Sequence, residues 1–244
     1  MQLKESSSAL KFQNELIQRQ ISEATDFRIK EAEIKKIDAT NKLILEAITC
    51  FHHLLAINDN YRVKLMDDPV QRLSCIPSII ATDRSVEPNF LDLHYLARIS
   101  LEYKHNSPAN ILYMNMIFLN YNSLMAVWKK RNTEIMPVFQ SAVEKYSTNS
   151  PSAFLSDDDL INLIGKPKLA QLIGLTEHCI KKTDDCILGF KQIFSELPDI
   201  AESQISPEVL NSYGKIFRYS WNIKESESFL KRIEVDNSKL QQFQ

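Results

Sequence analysis

Arg98 and His105 stand with six residues between them, and an arginine and an imidazole brought together could cleave a phosphodiester. The imidazole titrates near neutrality and can take and return a proton, while a guanidinium stabilises charge building on the phosphate. Other groups in the chain invite a similar question. Asp157, Asp158 and Asp159 offer three successive carboxylates to a divalent cation, and Cys50 sits beside Phe51, His52 and His53. His178 adjoins Cys179, and Trp128 precedes the basic run Lys129, Lys130 and Arg131. That run could grip a phosphate, an acidic partner or a membrane surface, and it is the candidate binding site.

The elements that must carry these groups decide what each can do. The Arg98–His105 spacing resembles the active-site pattern of HEPN ribonucleases, an all-helical family in which the two residues meet across a dimer and cleave RNA using the ribose hydroxyl. The resemblance implies metal-independent cleavage, with His105 as general base or acid and Arg98 stabilising the phosphate. The chain departs from the pattern in having Ile99 after the arginine, where the family often has a polar residue. His105 also falls at an expected helix end, ahead of Asn106 and Pro108, where basic residues favour the helix dipole.

Ser156 before the three aspartates makes a helix N-cap with acids in the first turn, so capping accounts for them better than a metal does. Neighbours on a helix point about 100° apart, which keeps Cys50 from pairing with His52 and spoils His178–Cys179 as a zinc half-site. No metal site and no cofactor are expected. Leu160–Ile173 superficially resembles a DNA-binding helix-hairpin-helix, but it has one turn glycine, Gly165, and Pro167 lacks an amide hydrogen. Dinucleotide and nucleotide loops need clustered glycines, and this chain has only Gly165, Gly174, Gly189 and Gly214.

Glycine scarcity also sets the fold class. The first 164 residues contain none, and tight hairpins depend on positive φ. The expectation is all-α: a long N-terminal helix leading into a multi-helix bundle. Apolar residues from Leu10 through Ile17, Ile21, Ala24, Phe27, Ile34, Ile37, Ile44, Ile48 and Phe51 to Leu55 recur at mostly three- and four-residue steps, in a stretch free of proline. A helix over that span would be about 70 Å long and needs an apolar partner, either its own bundle or a second copy. Its rhythm falters near Glu31 and between Asp38 and Asn41.

Residues 1–57 are accordingly read as a long amphipathic, possible coiled-coil unit, 58–146 as a helical core, and 147–244 as a C-terminal bundle that could share one domain with the core. One short helix is expected between Asp67 and Pro88. Ser107-Pro108 should start a central helix, buried through Ile111, Met114, Phe118, Tyr121, Met125 and Trp128 and widened by Leu112, Met116 and Leu119. Pro137 should kink or restart it, and the helix after Pro167 should stop before Pro198.

The net charge of −2 gives no global field for nucleic acid, and no nucleic-acid partner is expected. Asn110, Asn115, Asn120 and Asn122 make the apolar stretch Pro108–Trp128 a poor membrane span. Four cysteines without a CxxC pair fit reduced thiols, and a cytoplasmic location is expected. The resulting expectation is a helical interaction or scaffold protein with no evident catalytic site. Its partner would be another protein or a second copy, met through the N-terminal helix.

Overall fold

The computed structural model describes residues 2–62, 67–79, 81, 85–97, 107–146 and 156–220, with side chains from Leu10 onward. Every regular element among them is helical. α1 spans Gln2–Arg62, α2 Pro69–Cys75, α3 Ile111–Tyr146, α4 Asp157–Ile164, α5 Lys166–Glu202 and α6 Pro207–Ser212, with a 3-10 turn at Phe90–Leu96.

α5, not α3, is the central helix. It packs against α1 and α3 along much of its length and against α2 and α4 near its start. Met114, Phe118, Tyr121, Met125 and Trp128 of α3 are buried as the stripe requires, yet Leu112, Met116 and Leu119 face outward. The centrality of α5 was hidden because polar residues interrupt its apolar pattern. Thr176, Glu177, Thr183 and Asp184 are all buried.

Each of these four meets a partner on another element. Arg131 Nε donates to Thr176 Oγ1 (3.1 Å), Arg72 Nε to Glu177 Oε1 (2.6 Å), Trp128 Nε1 to Thr183 Oγ1 (3.1 Å) and Asn58 Nδ2 to Asp184 Oδ1 (3.1 Å). Phe118 and Phe190 meet edge to face at 5.0 Å, as do Phe51 and Phe194 at 4.9 Å. The main core thus draws on α1, α3 and α5 together, and a smaller one joins Val70, Leu73, Ile135, Val138, Leu160, Leu169 and Leu172. Residues of α1 from Ile37 to Tyr61 are part of the main core.

Prolines interrupt less than their chemistry suggests. α3 runs through Pro137 and α5 through Pro198, each forgoing one backbone hydrogen bond inside a helix held by burial on both sides. α3 starts at Ile111, after a turn at Ser107–Ala109, rather than at Pro108; Asn110 Oδ1 accepts from the Leu112 amide. α4 has the expected cap, with Ser156 Oγ accepting from the Asp159 amide (3.2 Å) and Asp159 accepting in return from the Ser156 amide (3.1 Å). α6 begins at Ser206-Pro207 as expected but ends at Ser212, and an irregular strap, Gly214–Ser220, continues from it.

The two glycines inside α5 should respond oppositely to alanine. A Cβ at Gly174 meets open space, so Gly174→Ala should stabilise the protein by about 0.5–1 kcal/mol through helix propensity. At Gly189 it would stand 3.1–3.3 Å from three side-chain atoms of Ile117, and Gly189→Ala should destabilise by about 1–3 kcal/mol. Urea unfolding of the two variants beside the parent checks both signs.

Candidate functional site

The sequence candidates disperse in three dimensions. Arg98 and His105 lie outside the described residues. Among the described residues no group of His, Cys, Asp and Glu could hold a metal ion, and no helix is long and apolar enough to cross a membrane. His178 is exposed while Cys179 is buried.

The run Trp128–Arg131 does not form one binding surface. Trp128 and Arg131 are fully buried, Lys129 is half-buried and Lys130 exposed. Arg131 instead serves as a cap for α2. Its guanidinium donates to the carbonyl of Leu73 (3.4 Å) in the last turn of α2 and to those of Ile76 (2.9 Å) and Pro77 (3.1 Å) just beyond it, where the helix runs out of amide partners. The helical period explains the split: residues 128 and 131 share the face of α3 that meets α5, and residues 129 and 130 rotate away.

The described surface has its main concavity along the outer face of α1. A cleft of about 1040 Å³ is lined from α1 by Asp38, Lys42, Leu45, Glu46, Thr49 and His53, and from the facing connection by Ser85, Val86 and Glu87. Asn122 holds that facing wall: its side-chain amide exchanges two 3.0 Å hydrogen bonds with the Val86 backbone, as one strand does with another. Asn132 pairs with the Ile79 backbone in the same way. A second cleft of about 620 Å³ adjoins the first, sharing Asp38 and Lys42 and reaching Ala32 and Leu91.

At the inner end of the larger cleft His53 Nδ1 and Tyr121 Oη share a 2.7 Å hydrogen bond, and Cys50 lies beneath. This grouping was missed in the sequence because His53, not His52, follows Cys50 by one helical turn; His52 turns the other way to Tyr219 Oη (2.8 Å). The site is not nucleophilic. Burial, helped by the nearby Glu46 carboxylate, pushes the Cys50 thiol up to about 12, and burial likewise raises Tyr121. Both groups keep their protons at neutral pH, so the cleft presents no activated thiolate.

The other conspicuous surface is the first half of α1. Residues 10–32 are exposed throughout, and the helix first touches the bundle near Lys30–Glu208 (2.8 Å) and Glu33–Ser206. The bundle-facing lines of α1, followed back in steps of seven, explain why. Ile37 leads to Lys30, Glu23 and Leu16, Thr40 to Glu33, Asp26, Arg19 and Phe12, and Leu43 to Lys36, Ile29, Ser22 and Glu15. The lines that meet the core turn mostly charged and polar, with Phe12, Leu16 and Ile29 their large apolar members, all exposed, and the bundle ends there. Other apolar residues take another face: Leu10, Ile17, Ile21 and Phe27 are 45–69% exposed, with Ala24 and glutamines between them. Phe12 lies off this face.

Compared with protein-family models, curated proteins and solved structures, the chain matches none.

Three outcomes test these assignments. Arg131→Ala should lower stability by about 3 kcal/mol or more, because several buried carbonyls lose their donor, whereas Lys130→Ala should change it by less than about 0.5 kcal/mol in denaturant titrations. For the thiols, Cys75 is half-buried while Cys50, Cys179 and Cys186 are buried and all raised to about 12. One thiol should therefore react rapidly with an aromatic disulfide reagent at neutral pH, and Cys75→Ser should abolish that phase. The unfolded chain ionises these thiols from about pH 9 upward and the folded one only near 12, so the unfolded state loses protons first. Stability contributed by the buried thiols should be complete below pH 9 and fall as pH rises toward 12, read from the unfolding midpoint.

Proposed function

We propose that this protein works as a helical interaction or scaffold protein that associates with a second copy of itself through α1, in the cytoplasm. One observation carries the reading: the first half of α1 displays its apolar residues on a face that its own bundle does not cover. Monomeric proteins rarely leave a row of large apolar side chains in water along a helix, and such a row is the usual signature of helix-mediated association. The arm's bundle-facing lines carry Glu15, Arg19, Glu23 and Asp26 among Phe12, Leu16 and Ile29, so packing that side on its own domain would bury charges together with apolar residues. Four free cysteines support a reducing compartment. The Arg98–His105 ribonuclease pattern gains no support from geometry, since neither residue is among those described.

Sedimentation velocity over a range from low to high micromolar concentration tests the reading. The parent should shift from monomer toward dimer, and Ile17→Asp combined with Ile21→Asp should remain monomeric with an unchanged thermal unfolding midpoint. A parent that stays monomeric at the highest concentration would overturn the proposal.

A further inference from the structure

We infer that the arm of one copy docks, antiparallel and reciprocally, into the α1 cleft of the other. The inference rests on the self-association just proposed and adds the place where the arm is received. Three observations on α1 lead to it.

First, the arm and the cleft share one face of the same helix. Followed forward in steps of seven, Leu10, Ile17 and Ala24 lead to Glu31, Asp38 and Leu45, while Ile21 leads to Arg28, Lys35, Lys42 and Thr49. Asp38, Lys42, Leu45 and Thr49 are among the residues of α1 that line the cleft. A two-fold axis across this face would lay each arm on its partner's cleft, with no turn in the helix required.

Second, the lengths agree. The two adjoining clefts run along α1 from Ala32 to His53, about 32 Å of helix. The arm's apolar face, from Leu10 to Phe27, covers about 26 Å.

Third, one register gives the middle of the arm an apolar neighbour, while Ile21 and Ala24 face Asn41 and Asp38. With the axis at Glu31, Ile17 of one copy meets the partner's Leu45, an apolar residue 52% exposed at the middle of the cleft. Gln20 falls beside Lys42 and Gln13 beside Thr49, so the glutamines that interrupt the arm's apolar row find polar neighbours. Phe27 comes against the second cleft, near Lys35 and the 82% exposed Leu91. The two Glu31 carboxylates approach across the axis, but each is already paired with Lys35 of its own chain at 2.9 Å. Arg28 of one copy lies one turn from Glu31 of the other. Pairing arm with arm in parallel instead would oppose Arg28 to Arg28 and leave both clefts open. Reciprocal docking uses two arms and two clefts, doubling a surface that one short apolar row could not supply alone.

Cysteine cross-linking between full-length chains tests the arrangement. In a Cys75→Ser background, Ile17→Cys and Leu45→Cys are made as separate proteins; both positions are exposed, so neither change should disturb folding. Lys42→Cys and Thr49→Cys extend the scan one turn to either side of Leu45. Mild oxidation should give a disulfide-linked dimer when Ile17→Cys is mixed with Leu45→Cys or a neighbouring variant, and none with any variant alone. Within one helix Ile17 and Leu45 are about 42 Å apart, so the bond can form only between chains. Dimer from Ile17→Cys alone would show arm pairing with arm, overturning this inference while sparing self-association. The same holds for a dimer in sedimentation that no mixture cross-links. A chain that neither cross-links nor sediments as a dimer overturns both.

Discussion

Four polar side chains on α5 set the register of the bundle. Thr176 and Thr183 are seven residues apart, as are Glu177 and Asp184, so the four form two rungs on one face of a central helix. Each is answered from elsewhere: Thr176 and Thr183 by Arg131 and Trp128 of α3, Glu177 by Arg72 of α2, and Asp184 by Asn58 of α1. A slip of α5 by one turn would part every pair at once and leave charged groups buried without partners, which costs several kcal/mol for each ion. Apolar packing alone tolerates such slips far better, because leucines and isoleucines are poorly distinguished by neighbours of similar size. The polar rungs therefore specify one alignment among several that the apolar surfaces would accept.

That same device limited what the sequence revealed. Helix was legible because glycine is scarce and because Ser156 and Ser206-Pro207 carry their start signals in local chemistry. The rank of α5 was not, since its buried polar residues read as surface until their partners, tens of residues away, are known. Arg131 misled for the same reason: next to Lys129 and Lys130 it reads as part of a solvated basic run, and only the carbonyls of Leu73, Ile76 and Pro77 reveal it as a cap. Pro137 and Pro198 carry a strong local signal that tertiary burial overrules. The faltering rhythm near Glu31 was visible, but its meaning was geometric. It marks the point before which the bundle-facing lines become mostly charged and polar and the helix side chains are exposed.

The cleft is likewise a product of distant pairings. No motif announces it, and its wall exists because Asn122 and Asn132, ten residues apart on α3, each hold the backbone of the preceding connection with both ends of a side-chain amide. These are the bonds of a sheet edge supplied by a helix surface. They hold Ile79 and Val86 against α3 without a strand beside them, and they satisfy the backbone groups of those two residues.

The continuity of α1 has a thermodynamic consequence of its own. Starting a helix in water is costly, with a nucleation factor of about 0.001, whereas adding a residue to an existing turn is close to neutral. In α1 the turns from Ile37 to Tyr61 are fixed by burial, so the exposed half meets only the cost of propagation. The bundle acts as a permanent nucleus for the arm. Helicity along the arm should accordingly decline by gradual fraying toward Gln2, not in a single step, and the residues nearest Lys30 are held in helical form before any partner arrives.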